Sequence, residues 1–175
     1  MELQRERVTD AQKIIDNDHA YIHAGKFFTH ATHFDLLTTT STKFTFLTPA
    51  TGYIHYRPVN VVSSVDKLTV NFYEGSSGNS GGSVITPMNR NRNSSAVSGA
   101  VFKSGVTVTT NGTKLTEAYM AGSTGIGQTR SGAQLSSSNE WVFKPNTLYT
   151  FEFINGSTEK NTIFAEFQFY EETLG

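Results

Sequence analysis

The chain has 175 residues, enough for one domain that buries roughly 70% of its unfolded surface without disulfides or metal. It contains no cysteine, which excludes thiol nucleophiles, cysteine-type zinc sites and oxidative folding. Charged residues make up 17%, below the roughly 25% of ordinary globular domains, and the formal net charge of −1 gives no global field towards nucleic acid or anionic lipid.

Thr9 and Gln12 fit a capping box, and Val8, Ala11, Ile14 and Ile15 then share one helical face. A helix of about ten residues is marginal alone, so its apolar face needs a surface on this chain, a sister chain or a partner. Residues 1–24 are therefore expected to form an N-terminal arm with a short amphipathic helix, and residues 25–175 a second unit. The opening MELQRERVTD has no apolar signal-type run, and no apolar stretch approaches the ~20 residues that span a bilayer. The expectation is a soluble chain without a secretion signal or a membrane partner.

From Gly25 onward the apolar period becomes two. Phe44 and Phe46 alternate with Lys43 and Thr45; Leu68, Val70 and Phe72 alternate with Thr69 and Asn71. Tyr149, Phe151 and Phe153 form a third such row, and Ile163, Ala165, Phe167 and Phe169 a fourth. This alternation marks half-buried antiparallel strands. Further strands are expected at 26–34, 53–62, 83–87, 96–102, 105–110, 113–120 and 140–143. Turns are expected at Pro49 to Gly52, Asn111-Gly112, Pro145-Asn146 and Asn155-Gly156, with Asn-Gly a strong two-residue hairpin signal. The predicted class is all-β, an antiparallel β-sandwich of jelly-roll type. Glu74–Ser83 and Ala121–Asn139 are too rich in Gly and Ser to pack a core and are expected as long exposed loops.

Motifs for chemistry are sparse. His19 and His23 are spaced i, i+4, with His30, His33 and His55 following, but HExxH is absent and Gly25 stops the helix, so structural histidines outweigh a metal site. No GxSxG elbow supports a nucleophile, and Ser77 to Gly82 lacks the Lys-[Ser/Thr] ending of a phosphate loop. Acidic residues are scarce between Gly25 and Asn139, which weighs against a glycosidase pair. Three sequons, at Asn93, Asn111 and Asn155, read as chance in an Asn/Ser/Thr-rich chain. The expectation is a non-enzyme with no catalytic residue, no metal and no cofactor.

Two features point to surfaces instead. Asn89-Arg90-Asn91-Arg92-Asn93-Ser94-Ser95 either binds an acidic group through Arg90 and Arg92 or builds a turn from Asn and Ser caps. Two arginines without an aromatic stripe are poor support for nucleic-acid binding. Trp141 reads as a core or interface anchor. Residues 27–139 carry a net +4 and residues 140–175 a net −4, either an ordinary mixed surface or opposed patches meeting between subunits.

Four blocks carry a resemblance: His19-x-x-x-His23-x-Gly25-Lys26-x-Phe28-Thr29, Pro87-x-Asn89-Arg90-Asn91-Arg92-Asn93-Ser94-Ser95, Trp141-x-x-Lys144-Pro145-Asn146-Thr147-x-Tyr149, and Tyr170-Glu171. In this order the chain resembles a family of tailed-bacteriophage structural proteins related to head decoration, or cement, proteins. The resemblance spans most of the chain from His19. It implies a β-sandwich subunit, a homotrimer, that binds the major capsid protein on the capsid exterior after assembly in the host cytoplasm. It carries over no catalytic residue. The candidate capsid or subunit interface is Val8, Ala11, Ile14, Ile15, Arg90, Arg92 and Trp141. A competing expectation is a receptor-binding or fibre-tip module that meets host glycan through Ala121–Asn139 or Tyr53–Tyr56.

Overall fold

The computed structural model of the chain describes residues 3–5, 12–14, 17–65, 67–120, 131–134 and 140–172. Its elements in chain order are β1 (Leu3–Arg5), β2 (Gln12–Ile14), α1 (Asn17–His23), β3 (Phe27–Leu36), β4 (Ser41–Leu47), β5 (Tyr53–Ser63), β6 (Leu68–Glu74) and β7 (Ser80–Ile85). They continue with β8 (Met88–Asn89), β9 (Val101–Thr107), β10 (Thr113–Met120), β11 (Ser131–Gln134), β12 (Trp141–Phe143), β13 (Leu148–Asn155) and β14 (Asn161–Glu172). The all-β expectation holds.

The pairing amounts to one long rolled hairpin. Strands β3, β4, β5 and β6 pair antiparallel with β14, β13, β12 plus β11, and β10 respectively. Cross-pairs β14–β5 and β13–β6 close the roll into two packed sheets. Sheet I runs β11-β5-β14-β3-β8, with β12 also on β5, and sheet II runs β10-β6-β13-β4-β9-β7. Successive strands from β3 to β6 switch sheets at every step, which is the jelly-roll path. The β7–β9 pair is an addition on the β4 edge of sheet II.

Between the sheets lie the alternating apolar residues. Phe44, Phe46, Leu68, Val70, Phe72, Tyr149, Phe151, Phe153, Ile163, Ala165, Phe167 and Phe169 all belong to one buried cluster. Aromatic rings fill it in stacked and edge-to-face pairs: Phe72 lies parallel to Phe151 at 4.5 Å, and Phe46 meets Phe169 edge-on at 4.8 Å. Strand β5 shifts register against β14 between its Asn60 and Arg57 partners, and Pro58, with no N–H to donate, sits at that irregularity.

Tyr56 is 1% exposed among Phe46, Phe72, Phe143 and Phe151, and among the described residues its hydroxyl has no hydrogen-bond partner. Burial pushes its phenol well above the usual tyrosine range. A desolvated, unbonded hydroxyl is a standing penalty, so Tyr56→Phe is expected to stabilise the fold by about 1 kcal/mol. Thermal unfolding of the variant reads this as a rise in Tm. A fall would place an unseen bonded group beside the hydroxyl.

Several expectations need correction. Gln12–Ile14 is a strand paired with Leu3–Arg5, so Gln12 is not the third residue of a capped helix and Ile14 is not on a helical face. The helix lies later, with Asp18 in its first turn, where its negative charge suits the N-terminal end of the helix dipole. Val8, Thr9, Ala11 and Ile15 lie outside the described residues. Half of the expected Glu74–Ser83 loop is strand: Ser80–Ile85 pairs with β9. The strands expected at 96–102 and 105–110 are one strand, Val101–Thr107. Ser131–Gln134, within the other expected loop, pairs with β5.

Neither Asn-Gly pair closes a hairpin. Asn111-Gly112 leads from β9 to β10, which lie at different places in sheet II. Gly112 has φ +80°, and a Cβ there would sit 2.2 Å from the Glu74 carbonyl oxygen. The glycine is required by close backbone approach rather than by a two-residue turn. Asn155-Gly156 joins β13 in sheet II to β14 in sheet I.

Candidate functional site

The densest group of ionisable side chains lies on the outer face of sheet I, where α1 crosses it. Strand alternation turns His55 and Arg57 of β5, and Tyr170 and Glu172 of β14, away from the core; His55 and Tyr170 are register partners. Glu140 enters from the residue before β12, while Asp18 and Tyr21 come from α1.

His55 sits at the centre. Its ring lies parallel to Tyr170 at 4.5 Å, its Nδ1 is 2.6 Å from Glu140 Oε1, and its Nε2 is 3.0 Å from Glu172 Oε2. Tyr170 donates its hydroxyl to the other Glu140 oxygen at 2.8 Å, and Arg57 lies 3.5 Å from that same oxygen. Arg57 also donates to Asp18 and lies over the Tyr170 ring. Tyr21 stacks on Tyr170 with the ring centroids 4.1 Å apart.

These contacts set the electrostatics. Burial alone would raise the Glu140 carboxyl, but bonds from His55 and Tyr170 and the charges of His55 and Arg57 outweigh it and hold the group below its usual range. Tyr170 is pushed far above the ordinary phenol range, first by burial and then by its bond to Glu140. Both effects lock the site as a carboxylate accepting from a phenol. The two ring nitrogens of His55 face carboxylates on opposite sides, so no single point collects three ligands. Among the described residues no group of three His, Cys, Asp or Glu could hold a metal ion.

The Asn-Arg string is a structural turn. Asn89 is buried and donates to the carbonyls of Gly25 and Ala96, while its Oδ1 accepts from Asn91 N–H. Asn91 donates to His23 O at the end of α1. Arg90 lies 4.9 Å over the Phe27 ring, and Arg92 reaches back to Asn89 O. Gly25 has φ +69°, and a Cβ there would strike Ser94 Oγ at 2.4 Å. The string thus ties the end of α1 to the start of β3, and its side chains are largely spent on that task.

Trp141 is half-buried and meets Phe72 edge-on at 6.0 Å, which makes it a core anchor at the sheet margin. The rings of His19 and His23 lie 4.4 Å apart on α1. His30 packs between Phe102 and Phe167, where burial lowers its proton affinity. Of the glycan-facing pair Tyr53 and Tyr56, the first is exposed and the second is sealed in the core. A separate hollow of about 270 Å³ is lined by Ser41 to Lys43 and Gly105 to Val108, and its only ionisable side chain, Lys43, is held by Glu152 and Asn111. The cluster at His55 therefore brings together residues that sequence reading left separate. Only the alternation His55-x-Arg57 beside Tyr170-x-Glu172 hints at it.

Comparison of the chain with known protein families, with curated proteins and with solved structures returned no match.

Proposed function

We propose that the chain is a non-enzymatic virion structural protein that binds the outer surface of a phage head, against the major capsid protein, and reinforces the lattice. The reading rests on the resemblance of its four ordered motif blocks together with the character of its outer faces. The observation that carries it is a pair of apolar rows on surfaces that solvated sheets keep polar. On sheet I, Val62 and Phe164 are directly opposite and 39% and 41% exposed. On sheet II, Leu47 and Val101 are directly opposite and 36% and 42% exposed, with Leu148 on the other side of Leu47. Rows of this kind mark contact surfaces, and shell contacts need roughly 1,000–2,000 Å² each.

A cement protein acts through area repeated over many copies. The ionisable groups suit that role, because they are engaged with one another inside the subunit. The test is sedimentation of purified protein with heads that lack it, alongside light scattering for subunit count. Wild-type protein should be trimeric and should travel with the heads. A Val62→Asp/Phe164→Asp double variant should keep its circular dichroism and lose at least about tenfold in binding, as expected for charges placed in a contact core. Protein that stays monomeric and ignores such heads, or a double variant that binds as well as wild type, sinks the reading.

A further inference from the structure

The chain has no cysteine, so no disulfide can staple its layers together. The parts of a different covalent staple lie on the outer face of sheet II. There the strand register sets Lys43 of β4 directly opposite Glu152 of β13, with Asn71 of β6 opposite Glu152 on its other side. Lys43 Nζ lies 3.3 Å from Glu152 Oε1. The same nitrogen donates to Asn111 Oδ1 at 2.8 Å. A lysine nitrogen, a carboxamide and a carboxylate thus converge.

Each partner is fixed by groups other than the lysine. Glu152 Oε2 accepts from the Tyr73 hydroxyl at 3.1 Å and from Asn71 Nδ2 at 3.4 Å, which leaves Oε1 turned to Lys43. Asn111 lies in the connection from β9 to β10, and its backbone carbonyl accepts from Ser76 Oγ at 2.6 Å. On one side of it, Thr110 bridges to Ser77 in the segment after β6. On the other, Gly112 lies so close to the Glu74 carbonyl that no Cβ fits. Backbone locked on both sides holds the Asn111 amide against the lysine. Such positioning turns a slow bimolecular aminolysis into a much faster intramolecular one. The Lys43 and Glu152 side chains are 19% and 13% exposed, so bulk water competes little for the amide.

We propose that Lys43 and Asn111 join in an intramolecular isopeptide bond, formed by the chain on itself with Glu152 as the proton carrier. Glu152 takes one proton from the Lys43 ammonium and leaves a lone pair on Nζ. Rotation about the last torsion of Asn111, which is broad and soft, turns Cγ towards that lone pair. Nζ adds to Cγ, and the carbonyl electrons move onto Oδ1. Glu152 then gives its proton to Nδ2, the Cγ–Nδ2 bond breaks and the carbonyl re-forms. The departing ammonia takes the remaining extra proton from Nζ and leaves as ammonium, through the hollow beside Lys43. An ammonium and an amide go in, an amide and an ammonium come out, and Glu152 ends as it began. The bond ties β4 to the β9–β10 connection across 68 positions of chain. It restricts the unfolded chain as a disulfide of that span would. It belongs to the single chain and does not rest on the shell-binding reading.

Mass spectrometry tests it on the full chain, after folded protein has stood at neutral pH until its mass is constant. The denatured chain should weigh one ammonia less than its sequence. Trypsin should leave Lys43 uncut and joined to the peptide Ser104–Lys114. Lys43→Arg and Asn111→Ala should each lack the cross-linked peptide. Glu152→Gln, shown to be folded by circular dichroism, should form the bond at least about a hundredfold more slowly, the size of a lost general acid–base group. Wild-type protein that keeps its full sequence mass overturns the proposal. So does an ammonia loss with Lys43 cut as usual, since attack of Gly112 N on Asn111 Cγ gives a succinimide of the same mass. A folded Glu152→Gln that reacts as fast as wild type also overturns it. The mass and the peptide map come from wild-type protein, so a variant that fails to fold leaves the test intact.

Discussion

Phe167→Ala is expected to lose about 3–5 kcal/mol of stability, more than any single truncation outside the core, and to lower Tm by roughly 10 °C or more. Phe167 is 1% exposed on the central strand β14, at the point where β5 shifts register. Its ring touches both sheets: Phe102 at 4.9 Å, Phe44 at 5.3 Å, Phe151 at 5.4 Å and Phe153 at 6.4 Å, with His30 alongside at 6.5 Å. Removing it opens a cavity that strands held by ladders on both sides cannot collapse to fill. Phe164, three residues earlier, supplies the control. It faces outward, and Phe164→Ala should stay within about 0.5 kcal/mol of wild type. Urea unfolding followed by circular dichroism measures both. A Phe167→Ala loss under about 1 kcal/mol would mean that the two sheets are held together elsewhere.

The core was the most legible part of this sequence, for a definite reason. A strand with one face in a dry core writes its period directly into residue type, and β4, β6, β13 and β14 all do so. Polar outward positions carry no such record. The alternation puts Thr45 on the face away from the apolar row, yet Thr45 and its neighbour Thr150 are both buried beneath the segment that follows β6: Thr150 donates to Ser76 Oγ, Ser76 donates to Asn111 O, and Asn79 reaches Thr45. Gly and Ser announce that the chain turns there, but not onto which surface it folds. The N-terminal helix was misplaced for a similar reason. Thr9 and Gln12 supply a capping pattern, while the helix that forms, Asn17–His23, starts without one and carries only Asp18 in its first turn. Pairing of Gln12–Ile14 with Leu3–Arg5 takes Gln12 out of any helix, and no local signal announces that pairing.

The His55 cluster was barely legible, through the alternation of His55 with Arg57 and of Tyr170 with Glu172 alone. Its members come from α1, β5, the residue before β12 and the end of β14, and the contact between His55 and Glu172 spans 117 positions. Each residue alone looks like ordinary surface. Only the register of β14 against β5, which is offset by the irregularity at Pro58, places Tyr170 opposite His55 rather than one residue away. A slip of one residue would turn Tyr170 inward and dismantle the site.

Asn155→Ala should be the most damaging alanine substitution of a polar residue, with a loss of roughly 3 kcal/mol. Asn155 ends β13 and is 0% exposed. Its Nδ2 serves the carbonyls of Leu36, Leu37 and Glu159 at 3.3, 3.0 and 2.8 Å, and its Oδ1 accepts from Ser157 N–H at 3.0 Å. One side chain thus joins the end of β3 to the connection that carries the chain from sheet II to sheet I. Alanine leaves those groups buried with no partner, which is costlier than losing an exposed bond. The same geometry explains why no sugar can be attached at this sequon in the folded chain, since the amide nitrogen is enclosed and fully engaged. Asn155→Asp sharpens the prediction. An ionised carboxylate only accepts, so it would face three carbonyl oxygens with no hydrogen to offer, and at neutral pH it should be worse than alanine. Protonation restores one donor, so the folded state would bind this proton more tightly than the unfolded chain does. The deficit of Asn155→Asp against wild type should therefore shrink as pH falls towards 4. Urea unfolding of the two variants at neutral and acidic pH decides it: equal losses for both, unchanged by pH, would show that the three carbonyls find their partners elsewhere.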